Sequence, residues 1–237
     1  MPNPVEEIRQ LREKKLTPKQ IARKLGMKVS EVSSIIRAEA EAETQALEAS
    51  GALPPLFECL INAYAAERLL GIPRSPNEEG EELPGDDPSQ GLGIVLVSRQ
   101  LPRGRLSTAG FLIDYWCLGV KDAIPPRQTN EVEYRLFVNA NCDRFNSPMT
   151  TITLEQAQSV IWGAVDYAKS LGFDPHFDFK SAKELLGDRP DPLPVEIEFG
   201  RDGKPFYVAG PYDNSAKVFK TLQLTQGEDF NYIMPVE

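Results

Sequence analysis

Four side chains in the carboxy-terminal half of the 237-residue chain are of the types that bind a divalent metal. Asp114 and Asp122 lie within one largely apolar block, and His176 and Asp178 lie two residues apart further along. Hard cations prefer carboxylate oxygens, and a single imidazole can complete such a site. If the four side chains converge, the chemistry that they indicate is metal-dependent phosphodiester hydrolysis.

Three of these residues also have an ordinary structural interpretation. Asp178 is placed to cap a helix that runs to Leu186, and His176 to hydrogen-bond a backbone carbonyl in a turn. Asp122 and its neighbour Lys121 are typical of a surface pair. The sequence leaves both interpretations open, so the four residues are candidates for catalysis to which no metal or cofactor is assigned.

His176 is the only histidine in the chain, and this excludes several kinds of catalytic site. Multi-histidine zinc sites and the HExxH helix need at least two imidazoles from one chain. No GxSxG elbow, no GxxxxGK[ST] loop and no GxGxxG between a strand and a helix is present. We therefore expect no hydrolase triad and no nucleotide-binding fingerprint, and a non-enzymatic protein is the favoured class.

The three cysteines, Cys59, Cys117 and Cys142, lie too far apart in sequence to form a CxxC pair. A zinc site is therefore not indicated. Free cysteine is among the most buried residue types, so we expect three reduced thiols in apolar surroundings. The amino terminus has no apolar run after its first charges, and no segment approaches about 18 uncharged apolar residues. These features predict a cytoplasmic protein that does not enter a membrane.

Charge is distributed unevenly along a chain whose net charge is −9. Residues 1–38 have a net charge of +5, residues 39–90 of −10, and residues 91–237 of −4. A basic head joined to an acidic middle indicates a polyanionic partner for the head alone.

Three short helices are predicted in this head. Asn3 and Thr17 are suited to cap the first two helices, because their side-chain oxygens accept hydrogen bonds from free backbone N–H groups. Gln20, three residues after Thr17, completes the pattern of a capping box. Gly26 ends the second helix in a left-handed turn, and the third helix starts near Ser30. The residues that face inward from the three helices are Val5, Ile8, Leu11, Ile21, Ala22, Leu25, Val32, Ile35 and Ile36.

The segment PKQIARKLGMKVSEVSSIIR, residues 18–37, resembles the helix-turn-helix unit of bacterial DNA-binding proteins. Ala22 matches the small residue between the crossing helices, Gly26 matches the turn, and Val32 and Ile35 match the positions that pack back. The resemblance implies that the third helix enters the major groove of DNA. The residues that it places at the DNA are Lys19, Arg23, Lys24, Lys28, Ser30, Glu31, Ser33, Ser34 and Arg37.

The exposed face of this third helix is poor in Arg, Asn and Gln, the side chains that make the best bidentate contacts with bases. We expect weak sequence reading by one copy and tighter binding by a homodimer that reaches two half-sites. The same packing also serves three-helix bundles that bind protein, so a protein partner for the head stays open.

A helical connector is predicted over residues 39–71. The stretch AEAEAETQALEAS, residues 38–50, is rich in Ala and Glu and predicts an extension of the third helix. The stretch LFECLINAYAAERLL, residues 56–70, predicts an amphipathic helix that packs on the carboxy-terminal domain or on a second copy. After it, residues 72–91 form an acidic Pro-rich linker, whose composition is too polar to bury surface.

The carboxy-terminal domain, residues 92–237, is predicted to be α+β with two β-hairpins. Gly93–Gln100 and Leu106–Asp114 form the first hairpin, and Val195–Phe199 and Pro205–Val208 form the second around Asp202-Gly203. The best helix of the domain is predicted at Leu154–Leu171, with Thr153 and Gln156 as a capping box. Its predicted inner stripe is Ala157, Val160, Ile161, Ala164 and Ala168. Asp213 is expected to cap a last helix that runs to about Leu222.

Three blocks of this domain are similar to a bacterial protein family to which no activity is attached. They are FLIDYWCLGVKDA at 111–123, LGFDPHFDF at 171–179 and FGRDGKPFYVAGP at 199–211. Three classes of function therefore stay open. The first is a DNA-binding, regulator-like protein whose larger domain senses a ligand or holds a protein partner. The second is a metal-dependent phosphodiesterase or nuclease that the head directs to nucleic acid, and the third is an adaptor that docks on a larger assembly.

Overall fold

The computed structural model describes residues 3–74 and 91–233. The chain divides into two compact units. The first comprises the residues up to Pro54 together with Leu101–Gly104, and the second comprises Pro55–Gln100 and the residues from Arg105 onward. The predicted α+β class is confirmed. Most of the predicted acidic linker falls on residues 75–90, which lie outside the described residues.

The first unit contains the three helices that the sequence predicts. They are α1 (Pro4–Glu13), α2 (Pro18–Leu25) and α3 (Val29–Ser50). Asn3 and Thr17 cap the first two helices, and Thr17 and Gln20 form a capping box in which each residue's backbone N–H donates to the other's side chain. The third helix continues to Ser50, so the Ala- and Glu-rich stretch extends it as predicted.

A small apolar core holds these three helices together. Ile8, Ile21 and Val32 supply one fully buried side chain from each helix. Ala22 is also buried, and Leu16, Leu25, Met27, Ile35 and Ile36 pack around this centre. The burial of Ala22 between α2 and α3 allows these two helices to pack closely.

The second unit contains strands and helices arranged around one larger sheet. Its strands are β1 (Leu56–Asn62), β2 (Leu92–Leu101), β3 (Arg105–Asp114), β4 (Gly119–Asn130), β5 (Met149–Ile152), β6 (Phe206–Val208) and β7 (Asn231–Ile233). Its helices are α4 (Ala63–Leu70), α5 (Glu131–Phe145), α6 (Leu154–Ser170), α7 (Phe179–Ala182), followed directly by a 3-10 turn at Lys183–Leu186, and α8 (Ser215–Gln226). No helix formed by the described residues has the length and apolar character needed to cross a membrane.

Five strands form an antiparallel sheet in the order β4-β3-β2-β1-β5. In this sheet Cys59 of β1 lies opposite Val97 of β2 and Ile152 of β5. The first predicted hairpin is confirmed as β2 and β3, and the chain then turns back into β4. β6 and β7 form a separate parallel pair.

Helices cover both faces of the five-stranded sheet. One face carries Ile61, Val95 and Phe111 and packs against α4, α6 and α7. The opposite face carries Leu60 and Leu96, which pack against Tyr134 of α5. The middle of the sheet is therefore buried on both sides.

The prediction of one helix over residues 56–70 is wrong for its first half. Leu56–Asn62 is the strand β1, and the helix α4 begins only at Ala63. The last four residues of β1 are all buried, so the alternation that usually marks a strand is absent. A short apolar run of this kind is not distinguishable from a buried helix by its period. The connector over residues 39–71 is therefore not helical throughout.

The second predicted hairpin is also wrong, although its turn is correct. Asp202 and Gly203 both have positive φ, 55° and 74°, and they join the paired residues Arg201 and Lys204. Residues 195–199 are not a strand. β6 pairs in parallel with β7, which follows α8 near the carboxyl end of the described chain, and not with the segment before the Asp202-Gly203 turn.

The long helix α6 is confirmed with its capping box at Thr153 and Gln156. Its predicted inner stripe of Ala157, Val160, Ile161, Ala164 and Ala168 is buried. The cap of α8 differs from the prediction, because Asn214 accepts the hydrogen bond from the Lys217 N–H. The Asp213 carboxylate instead forms an ion pair with Lys121. Cys59 and Cys117 are buried, Cys142 is half-buried, and all three are free thiols.

Candidate functional site

The turn between α2 and α3 positions the candidate nucleic-acid interface. Gly26 ends α2 with φ of 66°, and the Met27 N–H donates to the Ala22 carbonyl over 3.0 Å. The backbone N–H of Lys28 donates to the Glu31 carboxylate over 3.1 Å, while the Lys28 carbonyl accepts from the Val32 N–H. The entry to α3 is thus fixed by local hydrogen bonds from three backbone N–H groups, two of them to backbone carbonyls and one to a side-chain carboxylate.

Nine residues were expected at the DNA from the helix-turn-helix resemblance, and all nine are exposed. They are Lys19, Arg23, Lys24, Lys28, Ser30, Glu31, Ser33, Ser34 and Arg37. Glu31 has a local task, because its carboxylate accepts the hydrogen bond from Lys28 at the start of the helix. The exposed residues of α3 alternate with Val32, Ile35 and Ile36, which face the core of the head.

The five cations of this set are not neutralised by neighbouring carboxylates. Within the described residues, none of Lys19, Arg23, Lys24, Lys28 and Arg37 forms a side-chain ion pair. The free N–H groups at the start of α3 add a partial positive charge, because helix dipoles point their positive end to the N-terminus. This surface is therefore suited to phosphate oxygens.

The four candidate catalytic residues converge only in part. His176 Nδ1 lies 3.5 Å from Asp122 Oδ1 and 3.8 Å from Asp178 Oδ2, so three of the four candidates are neighbours. The Asp122 carboxylate also accepts from the Ala123 N–H, and His176 Nδ1 lies 3.4 Å from the Asp178 N–H. In residues 3–74 and 91–233, no group of three or more His, Cys, Asp or Glu side chains is arranged to hold a metal ion.

Asp114 is not part of that group. It is buried at the end of β3, and its Oδ1 accepts hydrogen bonds from the N–H groups of Trp116 and Cys117, at 3.1 and 2.9 Å. Burial raises the pKa of this carboxyl to about 6, against the opposing effect of Lys121 and of the backbone donors. Asp114 holds the turn between β3 and β4, which is a structural role.

The other structural interpretations have mixed outcomes. Asp178 stands directly before α7, but its side chain makes no capping hydrogen bond. The backbone N–H of His176 donates to the Val120 carbonyl over 2.9 Å, which fixes the turn on β4. Lys121 and Asp122 were expected to lie at the surface. Asp122 is exposed, whereas Lys121 is half-buried and forms a 2.8 Å ion pair with Asp213.

Two open cavities flank His176, and both are lined by His176 and Asp174. One, of about 490 Å³, is bounded by β4 and α8 and contains Lys121 and Lys217. The other, of about 350 Å³, is bounded by α6 and α7 and contains Lys169, Lys180 and Lys183. Sequence reasoning did not single out the last three lysines, although the spacing of Lys180 and Lys183 would place both on one face of a helix.

Comparisons with known proteins contribute no further assignment: no protein-family model, no curated protein and no solved structure matches this chain. The chemistry of the two surfaces must therefore be inferred from their own residues.

Proposed function

We propose that the protein binds double-stranded DNA through its first unit, as a regulator whose second unit senses a ligand or holds a protein partner. The observation that supports this most directly is the geometry of α2, the left-handed turn at Gly26 and α3. A buried Ala22 at the helix crossing and an exposed, basic outer face accompany it. In helix-turn-helix proteins the second helix of the motif, which corresponds to α3, lies in the major groove. The first helix of the motif, which corresponds to α2, crosses the DNA backbone.

Charge supports a phosphate partner for this unit. The net charge of residues 1–38 is +5 in a chain with a net charge of −9. Lys19, Arg23 and Lys24 lie on α2, and Lys28 and Arg37 lie at and within α3, where phosphates on either side of a major groove would be contacted. Contacts of this type give affinity and orientation, and they carry little sequence information.

Sequence preference must come from a small set of groups. The base-facing side chains of α3 are Ser30, Ser33 and Ser34, because Glu31 is held at the helix start. A hydroxyl can donate to or accept from most base edges and therefore discriminates weakly. We infer modest specificity for one copy, increased by a second copy at an adjacent half-site.

The proposal is tested with the full chain and a fluorescently labelled duplex of random sequence. Anisotropy is measured at about 50 and 200 mM salt, because release of counterions makes the affinity for DNA fall steeply in this range. We expect binding at the lower salt concentration that weakens with a slope of several units in the logarithm of salt. Absence of binding at low salt would contradict the proposal, and the head would then be a protein-binding bundle.

The metal-dependent phosphodiesterase is not favoured by any particular observation. Asp114 is engaged in its own turn, and the remaining three candidates do not form a metal-binding group in the part of the chain that the structure describes. We therefore propose no catalytic step for these residues.

A further inference from the structure

The residues that line the cavity between α6 and α7 have a positive net charge, whereas the net charge of the chain is negative. Lys169, Lys180 and Lys183 line it, and Asp174 is the only carboxylate among its lining residues. We call this surface the lysine groove. None of its three lysines forms an ion pair with a carboxylate of the described residues. Because three lysines line one cavity, the groove is electrostatically suited to a multivalent anion.

The folding of two elements brings these lysines together. Lys169 is exposed in the last turn of α6 and follows Trp162 and Val165 on the side that lines the groove. Lys180 lies in α7 and Lys183 at the start of the 3-10 turn that follows it. The Lys183 ammonium lies 5.9 Å from the centre of the Trp162 ring. The Lys183 charge therefore lies over an aromatic side chain in the wall of the groove.

Aromatic side chains form the rest of the groove. Phe179 packs edge-on against Trp162, with ring centres 5.2 Å apart, and both are buried in the wall. Phe177 is different, because 78% of its surface is exposed and its ring lies 4.1 Å from that of His176. An exposed ring at the mouth of a basic groove presents a flat apolar surface on which a planar group can stack.

A second observation concerns Trp162. Its indole N–H is buried and has no hydrogen-bond acceptor within the described residues. A buried donor without a partner costs free energy, but this nitrogen lies beneath the surface of the wall and not in the open groove. The groove itself thus has three lysines without an ion pair in the described residues and one exposed aromatic ring.

The geometry points to the lysine groove as a binding site for a nucleoside phosphate. A phosphate carries a charge of about −1.5 to −2 at pH 7, which is larger than the single negative charge of a carboxylate and better matches three lysines. The lysines contact the phosphate as point charges, and the base stacks on Phe177 beside His176. The cavity of about 350 Å³ falls in the size range of small-ligand sites, which is about 300 to 1,000 Å³. The sequence has no phosphate-binding glycine loop, so side chains alone hold the phosphate.

Stacking on one phenylalanine reads no base edge. We therefore expect AMP, GMP, CMP and UMP to bind with similar affinity, since every base has a face that can stack. The inference deepens the ligand-sensing part of the proposed function, and it is independent of DNA binding by the first unit.

The test titrates the full chain with each of the four monophosphates, with adenosine and with inorganic phosphate, using calorimetry at low salt. We expect the monophosphates to bind with dissociation constants below about 1 mM, and adenosine and phosphate to bind at least about tenfold more weakly. Equal affinity for adenosine and AMP would overturn the role of the lysines. Failure of all four monophosphates to bind the folded protein would overturn the site.

Variants locate the ligand. Lys180→Gln and Lys183→Gln should each weaken AMP binding about three- to tenfold, because a charge-assisted contact is lost at an exposed position. Phe177→Ser should weaken AMP while leaving the much weaker binding of inorganic phosphate unchanged. Lys220→Gln removes an exposed lysine of α8 that lines neither cavity, and it should leave AMP affinity unchanged. An equal loss in Lys220→Gln would show a non-specific charge effect and overturn the assignment.

The double variant Lys24→Ala/Lys28→Ala in the head separates this inference from the proposed function. It should weaken duplex DNA and leave AMP binding unchanged, whereas Lys180→Gln/Lys183→Gln should do the reverse. If the groove variants weaken DNA and not AMP, the groove is a nucleic-acid surface and the nucleotide inference is wrong. Loss of DNA binding alone contradicts the proposal for the head and leaves the groove assignment intact.

Discussion

The Lys121 ammonium lies 2.8 Å from Asp213 Oδ2, and this carboxylate also accepts hydrogen bonds from the Gly210 N–H and the Tyr207 hydroxyl. Only 9% of the Asp213 side chain is exposed. The ion pair joins β4 to the segment between β6 and α8, so the start of α8 is tied to the edge of the sheet.

Lys121→Met is expected to destabilise the second unit by about 2 kcal/mol, between the values for exposed and buried pairs, because Asp213 loses its charged partner. Asp213→Asn should cost less, since its amide oxygen still accepts from Gly210. Urea unfolding followed by tryptophan fluorescence measures both, because Trp116 and Trp162 lie in this unit. The double variant should lose less than the two single variants together, and strict additivity would show that the pair is uncoupled.

The buried Asp114 carboxyl makes stability depend on pH. Burial raises its pKa from 3.8 to about 6, so the native state binds this proton more tightly than the unfolded state. Its contribution is present in full below pH 4 and is lost as the pH rises through about 6, at about 1.4 kcal/mol for each pH unit. We expect Asp114→Asn to abolish this component, which totals about 3 kcal/mol. Identical pH profiles of unfolding for the parent and the variant would contradict this.

Gly119 begins β4 at a point where the backbone passes close to α6. Its φ is 65°, and a Cβ atom placed on it would lie 2.5 Å from the Ala164 carbonyl oxygen. Gly119→Ala therefore combines an unfavourable φ with a clash against the backbone of a helix, and we expect a loss above about 3 kcal/mol. Gly203→Ala is the control. Its φ is 74°, but no neighbouring atom would lie within 4 Å of the added Cβ, so we expect a loss of stability of only about 1 kcal/mol. Equal losses in the two variants would show that the contact with α6 is unimportant.

The elements with local signals were predictable from the sequence. The caps at Asn3, Thr17 and Thr153 and the turn at Asp202-Gly203 depend on residues within three positions of one another, and the structure contains all of them. In the same way, the helical period of α6 predicted its buried stripe, because one face of this helix remains polar.

The elements that depend on distant partners were not predictable. The strand β1 is buried between β2 and β5 and by helices on both faces, so burial on both sides removes the alternation that identifies strands. β6 pairs with β7, which lies more than twenty residues later in the chain. The lysine groove was missed for the same reason, since Lys169 meets Lys180 and Lys183 only when α6 and α7 pack together.

The close crossing of α2 and α3 requires a small residue at Ala22, which is 2% exposed. Ala22→Leu adds three carbon atoms to this contact and should destabilise the head by about 1–3 kcal/mol. Ala38→Leu makes the same change at an exposed position of α3 and should be nearly neutral. Hydrogen exchange of the backbone amides in α1–α3 measures the head by itself. Equal protection in the two variants would contradict close packing at Ala22.

The last prediction concerns how the head divides its contacts between phosphates and bases. Lys24 and Lys28 lie at the end of α2 and the start of α3, and both are exposed and without an ion pair in the described residues. Lys24→Ala and Lys28→Ala should each remove about one phosphate contact and lower the salt slope by about 0.9 units, on every duplex alike.

Ser33→Ala and Ser34→Ala should have a different effect, because a hydroxyl contributes no net charge. We expect them to weaken binding to a duplex selected for high affinity while leaving random duplex and the salt slope unchanged. The two pairs of variants are compared at two salt concentrations on both duplexes, with Lys220→Ala as the control for surface charge. If the serine variants lower the salt slope as the lysine variants do, α3 does not lie in the groove with Ser33 and Ser34 toward the bases. If Lys220→Ala lowers it equally, the head is not the surface that binds DNA.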